Sequence, residues 1–406
     1  MKKLRDVYRK IVSKENLYRS AYMASRARRY RDTTADFNFR LEDEIGRLQE
    51  ELMLKTYKHG EYRVFTIYDP KRRRIAAAPF RDRVVHHAVH DLIEPLVDRS
   101  FIYDSYACRR GKGTHKAVDR AQSFLRANRF CFHGDIKKYF PSIDHSILKE
   151  LVERRVEDKD LSWLLNGIID SAKGLAAKGL PIGNLTSQFF ANLYLNELDY
   201  FVKFDLRLHY YIRYMDDFLI FHNDEGLMQE TRGRIKEFLR GRLNINLHEN
   251  KSQIYKTAEG IKFLGFRIFK DYRRLAPDNV RRFKKRVKKL FYLFRNNEIN
   301  IEKMRDSVCC WVAHSKYADT VSLRRNIAKE FRCGLAGEPV SVVWDSWFGT
   351  ESREAEPESQ SVRVSESQSD SGFVVCGWQR GLERWTEGPW HGSCVWNREQ
   401  SHRVRT

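Results

Sequence analysis

Two adjacent aspartates, Asp216 and Asp217, stand between short apolar and aromatic runs, and few folds can hold such a pair. Tyr210-Tyr211-Ile212-Arg213-Tyr214 precedes them, Phe218-Leu219-Ile220-Phe221 follows, and Met215 sits at the junction. Runs of this length and composition predict two strands joined by a tight turn. Like charges this close repel, and each raises the other's pKa unless a cation neutralises them. An ordinary solvent-facing turn rarely carries such flanks, so the pair is expected to serve chemistry. Hard carboxylate oxygens suit Mg²⁺. Two such ions roughly 3.5–4 Å apart serve in-line phosphoryl transfer. That arrangement needs another carboxylate from elsewhere in the chain. Asp135 is the candidate, because it ends the apolar run Phe130-Cys131-Phe132-His133-Gly134 and Asp is a poor strand residue.

Charge points to the partner. The 406 residues carry a formal net charge of +21, a field suited to a polyanion such as nucleic acid. No apolar stretch approaches the roughly 20 residues of a membrane span. The first residues have no apolar run behind their charges, so no secretory signal is expected. The seven cysteines are scattered, without zinc spacing, and read as reduced thiols of a cytoplasmic protein. The charge is uneven. Residues 336–406 hold 11 acidic and 7 basic residues, a net of −4, and the preceding 335 residues carry +25. Residues 350–371 are rich in Ser, Glu and Gln without hydrophobic periodicity, which reads as disordered. The folded part is expected to end near Leu335.

Residues 1–60 read as basic helices. Tyr62–Tyr68 alternates like a strand, and Arg72–Ala78 is expected to return beside it. Helices are predicted over 82–96, 144–154 and 185–201, and Ile261–Ile268 is a strand-rich stretch. Asp278 is expected to cap a long helix with Val280, Phe283, Val287, Leu290 and Phe294 on its apolar face and Lys and Arg elsewhere.

Tyr214-Met215-Asp216-Asp217 is also the hallmark tetrapeptide of reverse transcriptases, and supporting motifs follow in order over about residues 60–330. Phe132-His133-Gly134-Asp135-Ile136-Lys137-Lys138-Tyr139-Phe140 resembles their motif A. The resemblance implies metal ligation by Asp135, the Ile136 carbonyl, Asp216 and Asp217, and sugar selection by Phe140. Lys71-Arg72-Arg73-Arg74 resembles the fingers, with Arg72 and Arg74 on the incoming triphosphate. Leu247-His248-Glu249-Asn250-Lys251 resembles motif D, which makes Lys251 a proton donor to pyrophosphate. Phe263-Leu264-Gly265-Phe266 resembles the primer grip. Gly179-Leu180-Pro181-Ile182-Gly183-Asn184-Leu185-Thr186-Ser187-Gln188 occupies motif B, next to the nascent base pair.

Motif B narrows the family. Most retron and group II intron enzymes carry Gln where Ile182 stands and Pro where Gln188 stands. The pattern here is similar to reverse transcriptases of diversity-generating retroelements. That resemblance implies an error-prone enzyme that misincorporates opposite template adenines, for mutagenic retrohoming. It also implies a small basic oligomeric accessory protein as partner, beside template RNA, the primer/cDNA duplex and dNTPs. The implied architecture is α+β, a right-hand polymerase: basic helices and fingers over 1–125, a palm with an antiparallel sheet over 126–270, a helical thumb over 271–335, and an atypical tail over 336–406. The alternatives are a group II intron-type or defence-associated reverse transcriptase, and an inactive RNA-binding scaffold that has lost an acidic ligand. All three aspartates are present.

Overall fold

The computed structural model describes residues 3–26, 28–68, 72–174, 178–332, 344 and 346–349. The chain forms two compact units, Met1–Thr257 and Ala258–Thr406. Helices and antiparallel sheets make up both, as the α+β reading requires.

In the first unit, β1 (Arg63–Ile67) pairs with β2 (Arg73–Ala77) as the expected hairpin, with Arg63 opposite Ala77. The centre is a four-stranded antiparallel sheet built from β3 (Phe130–Asp135), β4 (Tyr211–Tyr214), β5 (Asp217–His222) and β6 (Gln253–Lys256). Its order is β4-β5-β3-β6. Side chains alternate across a strand, so Phe132, Gly134, Phe218, Ile220, Tyr211 and Arg213 share one face. Cys131, His133, Asp135, Asp217 and Leu219 share the other.

The first face is buried against the helix Leu185–Tyr200. Thirteen of that helix's 16 residues are buried, so it is a central spine and not an amphipathic surface helix. Phe132 and Phe218 meet edge to face at 5.9 Å. The Phe218 ring lies over Gly134, where any Cβ would fall inside the ring. A glycine is therefore required one residue before Asp135.

In the second unit, β7 (Ile261–Phe263), β8 (Phe266–Ile268) and β9 (Arg273–Leu275) form a three-stranded antiparallel sheet. The strand-rich stretch over 261–268 is a hairpin turning at Leu264-Gly265. The division between compact units falls at Thr257/Ala258, so this sheet lies in the second unit with the helices that follow it. Those helices are Pro277–Arg295, Ile301–Ser315 and Val321–Arg332.

Asp278 is not the cap of the first of them. Ala276 holds the cap position and Pro277 opens the helix, because Pro is pre-set for the first helical residue and has no N–H to satisfy. Asp278 instead pairs with Arg281 in the first turn. The buried face is Phe283, Val287, Leu290, Phe291 and Leu293. Val280 and Phe294 are only half-buried.

Folded chain continues past Leu335. Trp344 and Phe348 are both fully buried. The Trp344 ring lies 5.3 Å from that of Phe291, and its Nε1 donates to the Ala328 carbonyl at 3.0 Å. The rest of the expected tail, residues 336–343, 345 and 350–406, lies outside the described residues.

Candidate active site

The sheet register brings the sequence-distant aspartates together. Asp135, the last residue of β3, sits directly opposite Asp217, the first residue of β5. Asp217 also pairs with Tyr214, which leaves Met215 and Asp216 as a two-residue turn. Met215 is buried at φ 56°, a left-handed conformation that costs a residue with a Cβ about 1–2 kcal/mol.

The turn is strapped from beneath. Arg213, fully buried on the opposite sheet face, donates through Nη1 to the Met215 carbonyl at 3.2 Å and to Asn192 Oδ1 at 3.1 Å. Its Nε and Nη2 both reach the Asp199 carboxylate at 2.6 Å, a bidentate fork. Tyr211 donates its hydroxyl to the same carboxylate at 2.7 Å. Burial alone would disfavour the Arg213 charge, but the charge of Asp199 and its hydrogen bonds more than offset that and hold the guanidinium cationic.

Each carboxylate at the tip has a distinct environment. The Lys251 ammonium contacts the Asp135 carboxylate. His133 Nε2 lies 2.6 Å from Asp217 Oδ1. Asp216 is pushed up to about 6, first by burial and then by the charges of Asp135 and Asp217, against the pull of a backbone hydrogen bond and Lys251. Burial pulls His133 down, but its hydrogen bond to Asp217 and the charges of Asp217 and Asp135 outweigh it, so the imidazole is net raised.

The donor set fits a divalent cation. Three hard carboxylates converge at the end of β3 and the β4–β5 turn, and burial together with the charges of Asp135 and Asp217 pushes Asp216 up. They are not, however, gathered into a ready-made metal centre. Among the described residues, no group of three or more His, Cys, Asp or Glu side chains is arranged to hold an ion. Asp135 faces Lys251 and Asp217 faces His133, so basic side chains of the protein engage two of the three carboxylates.

The backbone around Asp135 is anchored to the loop carrying Lys251. His248 N donates to the Asp135 carbonyl at 2.7 Å and Lys137 N to the Asn246 carbonyl at 2.9 Å. The buried Ser252 hydroxyl accepts from Asp135 N and lies 3.2 Å from its carbonyl oxygen. These bonds bracket Ile136, itself buried.

The motif B loop is fastened on two sides. The Ile182 carbonyl accepts from Ala76 N at 3.1 Å, and Asn184 bridges Ala76 O and Ala78 N at 2.8 and 3.2 Å. This ties the loop to β2, which carries the exposed Arg74; Arg72 is exposed just before it. On the other side Leu180 N donates to the Phe140 carbonyl at 2.9 Å. Gly179, at φ 97°, lies so close to Pro141 that a Cβ would be 2.7 Å from the Pro141 Cα. Phe140 and Ile182 are half-buried, Gly183 is exposed, and Gln188 is buried in the first turn of Leu185–Tyr200.

In the second unit, Phe263 is buried, and Leu264-Gly265 form the turn at φ 48° and 89°. The basic face of Pro277–Arg295 contributes Arg281, Lys284, Lys285 and Lys288 to a groove of about 750 Å³ that also includes Arg274, Asp319 and Glu330. No helix among the described residues is long and apolar enough to cross a membrane.

Sequence reasoning assigned no role to His133, Arg213, Asp199, Asn192, Asn184 or Ser252. A signal existed for one of them: Arg213 is a lone charge in an apolar strand, and its partner Asp199 lies in a helix buried on nearly every side. Buried charges demand each other.

Residues 58–268, about half the chain, match the family model described as reverse transcriptase (RNA-dependent DNA polymerase). The chain is similar to protein YkfC of Escherichia coli, 26% identical over 288 residues, covering 59% of this chain and 75% of that protein. It is similar to the group II intron-encoded protein LtrA of Lactococcus lactis, 24% identical over 335 residues, covering 65% of this chain and 55% of that protein. The chain thus spans little more than half the length of the intron-encoded relative. Among solved structures, telomerase from Candida albicans in complex with a fragment of telomeric RNA aligns with a TM-score of 0.43 and 9% identity, over 74% of this chain and 67% of that one.

Proposed function

The chain belongs to the reverse transcriptase family, and from that premise we propose that it is an active RNA-directed DNA polymerase of the diversity-generating class. One observation carries the activity: Asp135 lies directly across the sheet from Asp217, with Asp216 in the adjoining turn. In the proposed reaction the primer 3′-oxygen attacks the α-phosphorus of a dNTP. A new phosphorus–oxygen bond forms there while the bond to pyrophosphate breaks. Two Mg²⁺ ions, held by Asp135, the Ile136 carbonyl, Asp216 and Asp217, would supply charge neutralisation at the reacting phosphates.

The chain's own residues do the positioning. Arg72 and Arg74 meet the triphosphate, and Phe140 packs under the sugar. Lys251, beside Asp135, is placed to protonate the leaving pyrophosphate, and the basic groove of the second unit holds duplex phosphates. Gly183 and Gln188 complete the nucleotide pocket, and Phe263-Leu264-Gly265 contact the primer end. Template RNA, a cDNA duplex and a small basic oligomeric accessory protein are the proposed partners.

The subtype rests on Ile182. The Ile182 carbonyl accepts from Ala76 N, and the apolar Ile182 side chain offers no hydrogen bond to a templating base. Loose discrimination at template adenine follows. The test is primer extension on a defined RNA with the products sequenced. Asp216→Asn should cut extension by at least about 10²–10³-fold, the scale for losing one electrostatic group at a reacting centre. Extension by that variant at the wild-type rate would defeat the ligand assignment. Ile182→Gln should lower errors opposite adenine; an unchanged error spectrum removes that account of Ile182.

A second reading, a group II intron-type enzyme, is favoured by the similarity to LtrA over 335 residues. It is separated by the wild-type error spectrum: errors spread evenly over all four template bases support it.

A further inference from the structure

Asp217 does not stand free at the start of β5. His133 holds one of its oxygens at 2.6 Å. A carboxylate only accepts hydrogen bonds, so Nε2 carries the proton and donates, and the distance is that of a charge-assisted bond. The register fixes the direction of this hold. His133 pairs with Leu219 and Asp135 with Asp217, so from Asp217 the imidazole lies toward the sheet interior, while Asp216 lies toward the turn.

The two basic partners at this site differ in kind. Lys251 reaches Asp135 on a four-carbon stem, and its side chain is half exposed; an arriving cation can displace it. His133 is only 18% exposed and sits two residues from Asp135 on the same strand. Its strand neighbour Leu219 is fully buried, and the Tyr255 ring lies 6.5 Å away. A short, walled side chain of this kind is a fixture.

We propose that His133 is a positioning residue: it fixes the side chain of Asp217 by holding Oδ1, so that the other oxygen is presented to a divalent cation beside Asp135 and Asp216. This rests on reading the three aspartates as cation ligands. Without the hold, the cation would have to order the Asp217 side chain itself. Hydrogen-bonded outer partners of ligating groups typically contribute 10–100-fold to cation affinity.

The test uses the full chain without nucleic acid and Mn²⁺ as the probe, with free Mn²⁺ followed by its paramagnetic resonance signal. His133→Met keeps bulk and removes the donor; His133→Gln keeps a donor. His133→Met should weaken Mn²⁺ binding about 10–100-fold and His133→Gln should recover most of it. The Mg²⁺ midpoint of primer extension should shift in step, with the rate at saturating Mg²⁺ changed far less. Asp216→Asn separates the two ideas. If it abolishes Mn²⁺ binding while His133→Met binds like the wild type, the positioning role is overturned and the ligand assignment stands. If Asp216→Asn also binds like the wild type, both fall. Equal weakening by Met and Gln, with wild-type urea midpoints, overturns the hydrogen bond as the cause.

Discussion

Two tight hairpins in this chain solve the same backbone problem in opposite ways. The β4–β5 turn and the β7–β8 turn each span two residues, and each puts a bulky side chain where glycine is preferred: Met215 at φ 56° and Leu264 at φ 48°. In the second, Gly265 at φ 89° takes the other left-handed position, and one hydrogen bond, from Ala276 N to the Gly265 carbonyl at 2.9 Å, braces the tip. In the first, a buried ion pair is committed to the Met215 carbonyl. The Leu264 turn needs only to present a surface. The Met215 turn must hold carboxylates that repel one another, and it recruits buried charge to do so.

Removing Arg213 tests that contrast with the largest expected effect. Arg213→Ala leaves the fully buried Asp199 carboxylate unpaired and should cost about 3–5 kcal/mol, read from urea unfolding. Arg213→Lys should recover little, because an ammonium cannot make the bidentate fork. The pair Arg213→Met with Asp199→Leu sharpens the point. Stability should largely return, since apolar replacement of a whole buried pair is often neutral, yet extension should stay depressed because nothing holds the Met215 carbonyl. Full activity in that double variant would show the pair to be a stability device only.

The same contrast explains what was legible in the sequence. The hairpin flanking Asp216-Asp217 and its pairing with Asp135 could be read because strands with apolar flanks announce themselves and a lone terminal Asp stands out. The helix Pro277–Arg295 was visible from its apolar spacing, although its start was misjudged: Asp278 is a plausible cap, but Pro277 fits the first helical position better. The strap beneath the turn was hidden, because Arg213 and Asp199 are 14 residues apart and only the packing of β4 on the helix Leu185–Tyr200 makes them partners. The partners of the acids were hidden for a related reason. The pattern shows where acids sit, not that Lys251 and His133 will take their oxygens. The burial of Trp344 and Phe348 was missed because the boundary was drawn from the charge of residues 336–406 as a whole, although the stretch 340–348 is locally apolar.

Glycine substitution at the two tips should give unequal results. Met215→Gly relieves about 1–2 kcal/mol of left-handed strain but empties a fully packed site, where losing a Met side chain costs about 2–5 kcal/mol. The net should be a loss of about 1–3 kcal/mol. Leu264 is only half-buried, so its smaller packing loss and the strain relief should cancel to within about 1 kcal/mol. Urea midpoints of the two variants check this. Equal losses would mean that the turns are not held differently.

The smallest expected effect tests how the Leu264 turn is braced. Ala276, which bonds Gly265, also accepts from Asn279 N at 2.9 Å, and Asn279 Oδ1 accepts from Trp311 Nε1 at 2.8 Å. Trp311 in turn stacks on Phe283 with ring centroids 3.8 Å apart, so the helix start is tied to the helical core by one side-chain bond. Asn279→Ala removes it and leaves the indole N–H without that acceptor. A single neutral hydrogen bond is worth about 0.5–1.5 kcal/mol, and Trp311 keeps its stacking, so the loss should lie in that range. Asn279→Asp keeps an acceptor and should lose less. If Asn279→Ala instead costs as much as Arg213→Ala, the second hairpin depends on buried polar contacts as heavily as the first, and the distinction between the two turns disappears.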